Sequence, residues 1–198
     1  MKHSIRSLSA SLLAVIVAVA VATPIAAQDN GGIVLKGGLS YGGVSNSGVF
    51  PGEARTRNGA AIGIGLVTRK RVGFGLEGLY AQRGITGSAG NSRELDYIDV
   101  PLYLRISALN PVIQPFAYAG PQVSFELRCD SNGGTCPSGR EKVSYAGAIG
   151  GGVRLPRLGG LSVEGRYVYG LTDLKLGTIS DSESYRTRSF MLLFGFGL

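Results

Sequence analysis

The chain has 198 residues, 32 of them glycine, with 20 Lys plus Arg against 13 Asp plus Glu, no Trp and a single histidine, His3. The length suits one domain. Once His3 is lost with an N-terminal leader, the chain can build no Ser-His-Asp triad, Cys-His pair or imidazole metal site. Charged residues make up 17%, below the ~25% usual for a soluble domain, which leans towards a membrane or secreted protein.

Residues 1–27 read as a basic start (Lys2, His3, Arg6), an apolar run from Leu12 to Ala22, and then Thr23-Pro24-Ile25-Ala26-Ala27. This is the layout of a secretory signal peptide cut before Gln28. An uncleaved anchor is the alternative, but the run falls short of the ~20 residues a spanning helix needs. No Cys follows the leader, which disfavours a lipoprotein. Cleavage removes Lys2 and Arg6 and no acid, so the formal charge falls from +7 to +5 while all 32 glycines stay. Nothing in 28–198 approaches 18 continuous apolar residues. If that part lies in a membrane it must cross as a closed β-barrel, because an open sheet leaves backbone groups unpaired in lipid.

Period-two alternation recurs in eight segments, about 32–41, 59–68, 72–84, 94–106, 114–127, 142–155, 160–173 and 187–198, with no convincing helical period between them. Three connections are short: 69–71, 107–113 and 156–159. Four are longer and rich in Gly, Ser, Asn and charge: 42–58, 85–93, 128–141 and 174–186. Short turns at one end and long loops at the other, with an even number of strands, predict an all-β fold: an eight-stranded antiparallel up-and-down transmembrane β-barrel in the outer membrane.

The faces carry the argument further. In 94–106, Ile98, Val100, Leu102, Leu104 and Ile106 share one face, and Asp99, Pro101, Tyr103 and Arg105 the other. In 72–84, Val72, Phe74, Leu76 and Tyr80 oppose Gly73, Gly75, Glu77, Ala81 and Arg83. The apolar faces hold no charge except Arg188, at the loop end of the last strand. Lys36, Glu77, Arg83, Asp99, Arg105, Glu126, Arg154, Glu164 and Arg166 all fall on the second face. A Lys or Arg facing lipid at mid-bilayer costs about 2–4 kcal/mol, which accounts for the separation. The second face is also small: Ala61, Gly63 and Gly65 in one strand, Ser144, Ala146, Ala148, Gly150 and Gly152 in another. A water-exposed face would carry long polar chains, whereas a narrow eight-stranded interior needs small ones, so this face is the lumen. Tyr41, Tyr80, Phe125, Tyr167 and Tyr169 fall on the lipid face, some suited to an interfacial girdle. Pro101, Pro115 and Pro121 lie within strand patterns and are expected at bulges or strand ends.

By 94–106 the chain resembles the outer membrane β-barrel domain family that includes the PorT-type proteins. The matching stretches are LEGLYAQRG (76–84), ELDYIDVPLYLR (94–105), PFAYAGPQVSFEL (115–127), VEGRYVYGLTDL (163–174) and RSFMLLFGFGL (188–198). The resemblance implies fold and location, with 28–198 as the barrel domain, and implies no reaction or ligand. Some relatives take part in protein export in the Bacteroidetes, a role these residues do not carry over. Leu198 stands where such barrels usually end on an aromatic.

Candidate sites are few. Cys129 and Cys136, six residues apart, read as one disulfide in an exported chain, since a metal site would need more ligands. Gly73-Phe74-Gly75-Leu76-Glu77-Gly78 matches GxGxxG, but alternation runs straight through it with no helix following, so the glycines make room in the lumen and no nucleotide is expected. Buried charges must pair, so Lys36, Glu77, Asp99, Arg105, Arg154, Glu164 and Arg166 are expected to form a network that plugs the barrel; a conducting path or ligand site is the alternative. Outer membrane barrel enzymes typically use His, so no catalytic residue, metal or cofactor is expected. Expected partners are outer membrane lipids, the lipopolysaccharide phosphates that loop-side clusters such as Arg55/Arg57 and Arg186/Arg188 could meet, and the barrel assembly machinery. Nucleic acid is not expected of an exported barrel despite the pI near 9.6. The expected role is non-catalytic, structural or carried by the loops 42–58, 128–141 and 174–186. A narrow porin for small solutes is the first alternative, and a soluble periplasmic calycin-like binding barrel the second.

Overall fold

The computed structural model describes residues 31–46, 55–86, 92–131, 134–135, 142–172 and 185–198. The leader assigned to 1–27, residues 47–54 of the first long connection and most of the other three lie outside these residues. Nine strands follow in order: β1 (Gly31–Asn46), β2 (Arg55–Thr68), β3 (Val72–Thr86), β4 (Ser92–Ser107), β5 (Gln114–Ser131), β6 (Gly134–Thr135), β7 (Val143–Leu155), β8 (Leu161–Gly170) and β9 (Tyr185–Gly197). The two-residue β6 pairs only with the far end of β5, as Asp130↔Thr135 and Ser131↔Gly134. The other eight are antiparallel to their neighbours, in the order β4-β3-β2-β1-β9-β8-β7-β5, and the β4–β5 pairing closes the circle. The fold is a closed eight-stranded antiparallel all-β barrel, and closure leaves no strand edge for lipid to meet.

Alternation decides which way each side chain points. On β8, Ser162, Glu164, Arg166, Val168 and Gly170 are buried while Leu161, Val163 and Tyr167 are exposed. On β4, Asp99, Pro101 and Tyr103 turn inward, and Leu102, Leu104 and Ile106 outward. The outer surface is a continuous apolar band in which even Ile62 and Phe74 are 64% and 65% exposed. A soluble monomer rarely exposes apolar patches beyond a few hundred Å². This distribution is the inverse of a calycin, which keeps its apolar face inside, so the soluble periplasmic alternative fails. Among the described residues no helix is long and apolar enough to cross a membrane, and the strands supply the crossing. Arg188, the one outward charge expected, lies over the Tyr169 ring at 5.4 Å, and Tyr41 packs near Phe190 with ring centroids 6.5 Å apart. Both arrangements suit the interfacial region, where amphipathic chains keep their heads in water.

The prolines do not sit at bulges. Leu76↔Leu102 and Leu79↔Asp99 flank an interruption of the β3–β4 ladder beside Pro101, and the register is the same on both sides. Pro101 still pairs with Gln122 on β5. Pro121 pairs with Gly147 on β7, and its gap falls on the β4 side, between Pro101↔Gln122 and Leu104↔Ala119. Each proline therefore loses ladder bonding towards one neighbour and keeps the other, which needs no extra residue. Pro115 is the second residue of β5, a strand end as expected. The irregularities lie nearer the loop ends, at Thr56/Ala61 in β2 and Asp96/Tyr97 in β4. Of the short turns, the β7–β8 connection is a 3₁₀ turn, Pro156–Leu158, closed by Gly159 and Gly160 at φ 64° and 73°, a left-handed backbone that a Cβ would oppose.

Between the turn end and the loop end the lumen is filled in layers. Leu79, Ala81, Val168, Met191 and Leu193, with Ala61, Ala146 and Ala148, form an apolar cluster inside the barrel. On β8 the order from the turn is Ser162, then Glu164 and Arg166, then Val168, which puts the charged layer between the turn-side mouth and the apolar cluster.

Candidate functional site

Four charged side chains from three strands meet in the charged layer. Lys36 on β1 donates from Nζ to Glu77 on β3 at 2.7 Å and to Glu164 on β8 at 2.6 Å. Arg166, also on β8, donates from Nη2 to Glu77 at 2.6 Å and to Glu164 at 3.0 Å. The four form a ring of alternating sign, cation-acid-cation-acid, with no net charge. Its exposure is 6% at Lys36, 2% at Glu77 and Glu164, and 0% at Arg166. Two tyrosines complete it. The Tyr103 hydroxyl on β4 donates to Glu77. The Tyr118 hydroxyl on β5 donates to Glu164 at 3.0 Å while accepting from Arg166 Nε at 2.7 Å. The two phenol rings pack with centroids 4.4 Å apart, and the Arg166 guanidinium lies 5.2 Å from the Tyr118 ring.

The glycine content has its cause here. A Cβ at Gly75 would enter the Tyr103 ring, one at Gly150 the Tyr118 ring, one at Gly65 the Glu77 side chain, and one at Gly152 the β8 backbone beside Glu164. The ring fits because the facing positions carry no side chain. The sequence places the two kinds of residue on one face by period two, and closure brings them opposite one another. Burial this deep costs several kcal/mol per ion, offset only when geometry and hydrogen bonds are good. All four carboxylate oxygens of the ring accept at least one bond, and the one ring atom without a partner is Arg166 Nη1. Chemically, both acids are held by two cations and a phenol. Neither is free to serve as a general base or nucleophile.

The seven residues expected in one network separate into three groups. Lys36, Glu77, Glu164 and Arg166 are the ring. Asp99 pairs instead with Arg83, which also lies over Tyr97 at 5.2 Å. Arg105 and Arg154 join neither group and have no ion-pair partner among the described residues, a correction to the expected network. Arg105 donates to Ser107 at 3.1 Å and lies over the Phe116 ring at 3.9 Å; Arg154 donates to Gln114 at 3.2 Å. The reason is axial level. Register sets Arg105 opposite Gly73 and Tyr103 opposite Gly75, so Arg105 lies one inward position nearer the turns than the ring's phenol, within electrostatic reach of the ring acids but making no ion pair with them. Tyr103, Tyr118 and Arg83 are the participants that the expectation left out; an inward tyrosine in an otherwise glycine-rich lumen was the available signal. Cys129 is near the end of β5 and is not free, while Cys136, its expected partner, lies outside the described residues, as do the side chains of Arg55, Arg57 and Arg186.

A family model described as outer membrane protein beta-barrel domain matches residues 26–176. The chain belongs to that family. The match singles out the family and not its PorT-type members. Among solved structures, Neisserial surface protein A is similar with a TM-score of 0.52 and 13% identity, over 84% of this chain and 97% of that one. Ail, the attachment invasion locus protein of Yersinia pestis, solved with the heparin analogue sucrose octasulfate, follows at 0.48 and 13%, over 86% and 100%. The outer membrane enzyme PagL is at 0.44 and 13%, over 81% and 99%. No curated protein matches the chain in sequence. Family and fold together make this an outer membrane β-barrel protein, located in the outer membrane.

Proposed function

We propose that the barrel is a closed, non-catalytic anchor whose lumen is plugged by the Lys36–Glu77–Arg166–Glu164 ring, and whose role is structural or is carried by its long loops at the cell surface. The observation that supports the reading is the ring itself: four charges from three strands, each bound to both opposite charges at 2.6–3.0 Å, with the apolar cluster above it. An ion entering this lumen would have to separate pairs that the surrounding protein cannot resolvate. The non-catalytic reading rests on the same bonds, because the ring acids are spent on one another's partners. The porin alternative has the polar lumen in its favour, but eight strands leave little bore. In this reading residues 1–27 are removed on export, Cys129 and Cys136 close the 128–141 loop, and lipopolysaccharide phosphates and the assembly machinery are the first partners.

Planar-bilayer recording of the refolded protein tests the plug. The expected result is no stable conductance step; a long-lived, ion-selective pore of large conductance would sink it in favour of the porin.

A further inference from the structure

We propose that the turn-side mouth of the lumen is a binding site for a phosphoryl anion, held by Arg69, Arg105 and Arg154. A pocket opens there, below the ring, and these three arginines line it together with Ser107, Gln114 and Ser162. The guanidiniums come from three places in the barrel: the β2–β3 turn, the end of β4 and the end of β7. Arg105 and Arg154 are positioned by neutral side chains, and Arg69 by a main-chain oxygen of the last residue of the sequence. Arg105 is held by Ser107 and the Phe116 ring, Arg154 by Gln114, and Arg69 by the Leu198 main-chain oxygen at 2.9 Å. Arg154 lies within electrostatic reach of both other arginines, and the Nη2 atoms of Arg69 and Arg154 both approach Gly197.

Among the described residues no carboxylate side chain forms an ion pair with any of the three, although Arg105 is within electrostatic reach of the ring acids Glu77 and Glu164. Glu164 is the one carboxylate lining the pocket, and both its oxygens are already taken by Lys36, Arg166 and Tyr118. Three like charges so placed repel one another, and an anion between them removes that cost. Two glycines keep the space open: a Cβ at Gly32 would strike the Arg69 guanidinium, and one at Gly160 would come within 2.9 Å of Arg154 Nη2. Phosphate matches the charge and the geometry better than a carboxylate, since it brings up to two negative charges and oxygens on several sides for planar guanidinium forks. The pocket faces the short turns, which lie on the periplasmic side in barrels of this kind. The phosphoryl group can therefore belong to a soluble periplasmic phosphate or to an inner-leaflet phospholipid head.

Titration calorimetry of the full folded protein in uncharged detergent, with inorganic phosphate as probe, tests the site. Saturable binding is expected. Gln114→Glu, which sets a carboxylate beside Arg154, and the pair Arg105→Gln with Arg154→Gln are each expected to weaken it at least tenfold. Arg157→Gln, on the exposed turn, is the control and should leave it unchanged. The heat-dependent gel shift verifies that each variant is folded. Absence of saturable binding, or equal binding by the control and the Gln114→Glu variant, overturns the proposal. Repeating the titration in nanodiscs of phosphatidylcholine with rising phosphatidylglycerol assigns the source. Loss of phosphate binding identifies the lipid head, and unchanged binding identifies the soluble anion; both outcomes support the site.

Discussion

At the centre of the lumen two carboxylates meet two cations and every carboxylate oxygen is used, whereas at the turn-side mouth three arginines share a pocket whose one acid is already committed. The difference follows depth. At the centre, exposure is 6% or less, so an unpaired charge would bear its full desolvation cost. At the mouth Arg105 and Arg154 are half-buried, so solvent access lowers the cost of a charge without an acid beside it. The same residue type is therefore an element of structure in one layer and a free binding group a few ångströms away.

The comparison breaks most readily at the ring. Glu77→Ala leaves Lys36 and Arg166 sharing one acid and strands the Tyr103 hydroxyl, so it should cost about 4 kcal/mol, read from urea unfolding of the protein in detergent or vesicles. A cost under about 1 kcal/mol would mean that the ring is hydrated and not a buried pair network. Gly75→Val leaves the charges alone but fills the space that Tyr103 occupies, with an expected cost of about 2 kcal/mol. A stabilised variant would show that the lumen has room to spare. Arg105→Gln, at the mouth, should change stability by less than about 1 kcal/mol in either direction, because no hydrogen-bonded ion pair is lost. Salt sharpens the contrast at the smallest scale. Screening shortens to about 3 Å at 1 M, so the small difference between wild type and Arg105→Gln should shrink there while the Glu77→Ala deficit persists.

The legible part of the molecule was what period two controls. The faces of 94–106 and 72–84 could be assigned residue by residue, because a charge on the lipid side is excluded by energy and a large side chain on the lumen side by space. Strand ends were less legible. β1 runs to Asn46 and β5 to Ser131, into stretches whose composition reads as loop, because above the membrane a ladder no longer needs an apolar face. The ring was legible as a set of inward charges, but its membership was not. Arg105 and Glu77 share a face pattern, yet which acid meets which base depends on the stagger between strands, and alternation within one strand carries no information about stagger. Pro101 and Pro121 misled for a related reason: a lost ladder bond looks from the sequence like a break in register, and β4 and β5 absorb it on one side only.

The four ring charges act as one paired unit, and a double-mutant cycle across Glu77 and Arg166, their side chains joined at 2.6 Å, tests this most directly. Unfolding free energies of Glu77→Gln, Arg166→Met and the double variant would be measured in the same vesicles. The account predicts that the double variant is less destabilised than the sum of the singles by about 2 kcal/mol. Additivity within about 0.5 kcal/mol, the behaviour of independent sites, would contradict it.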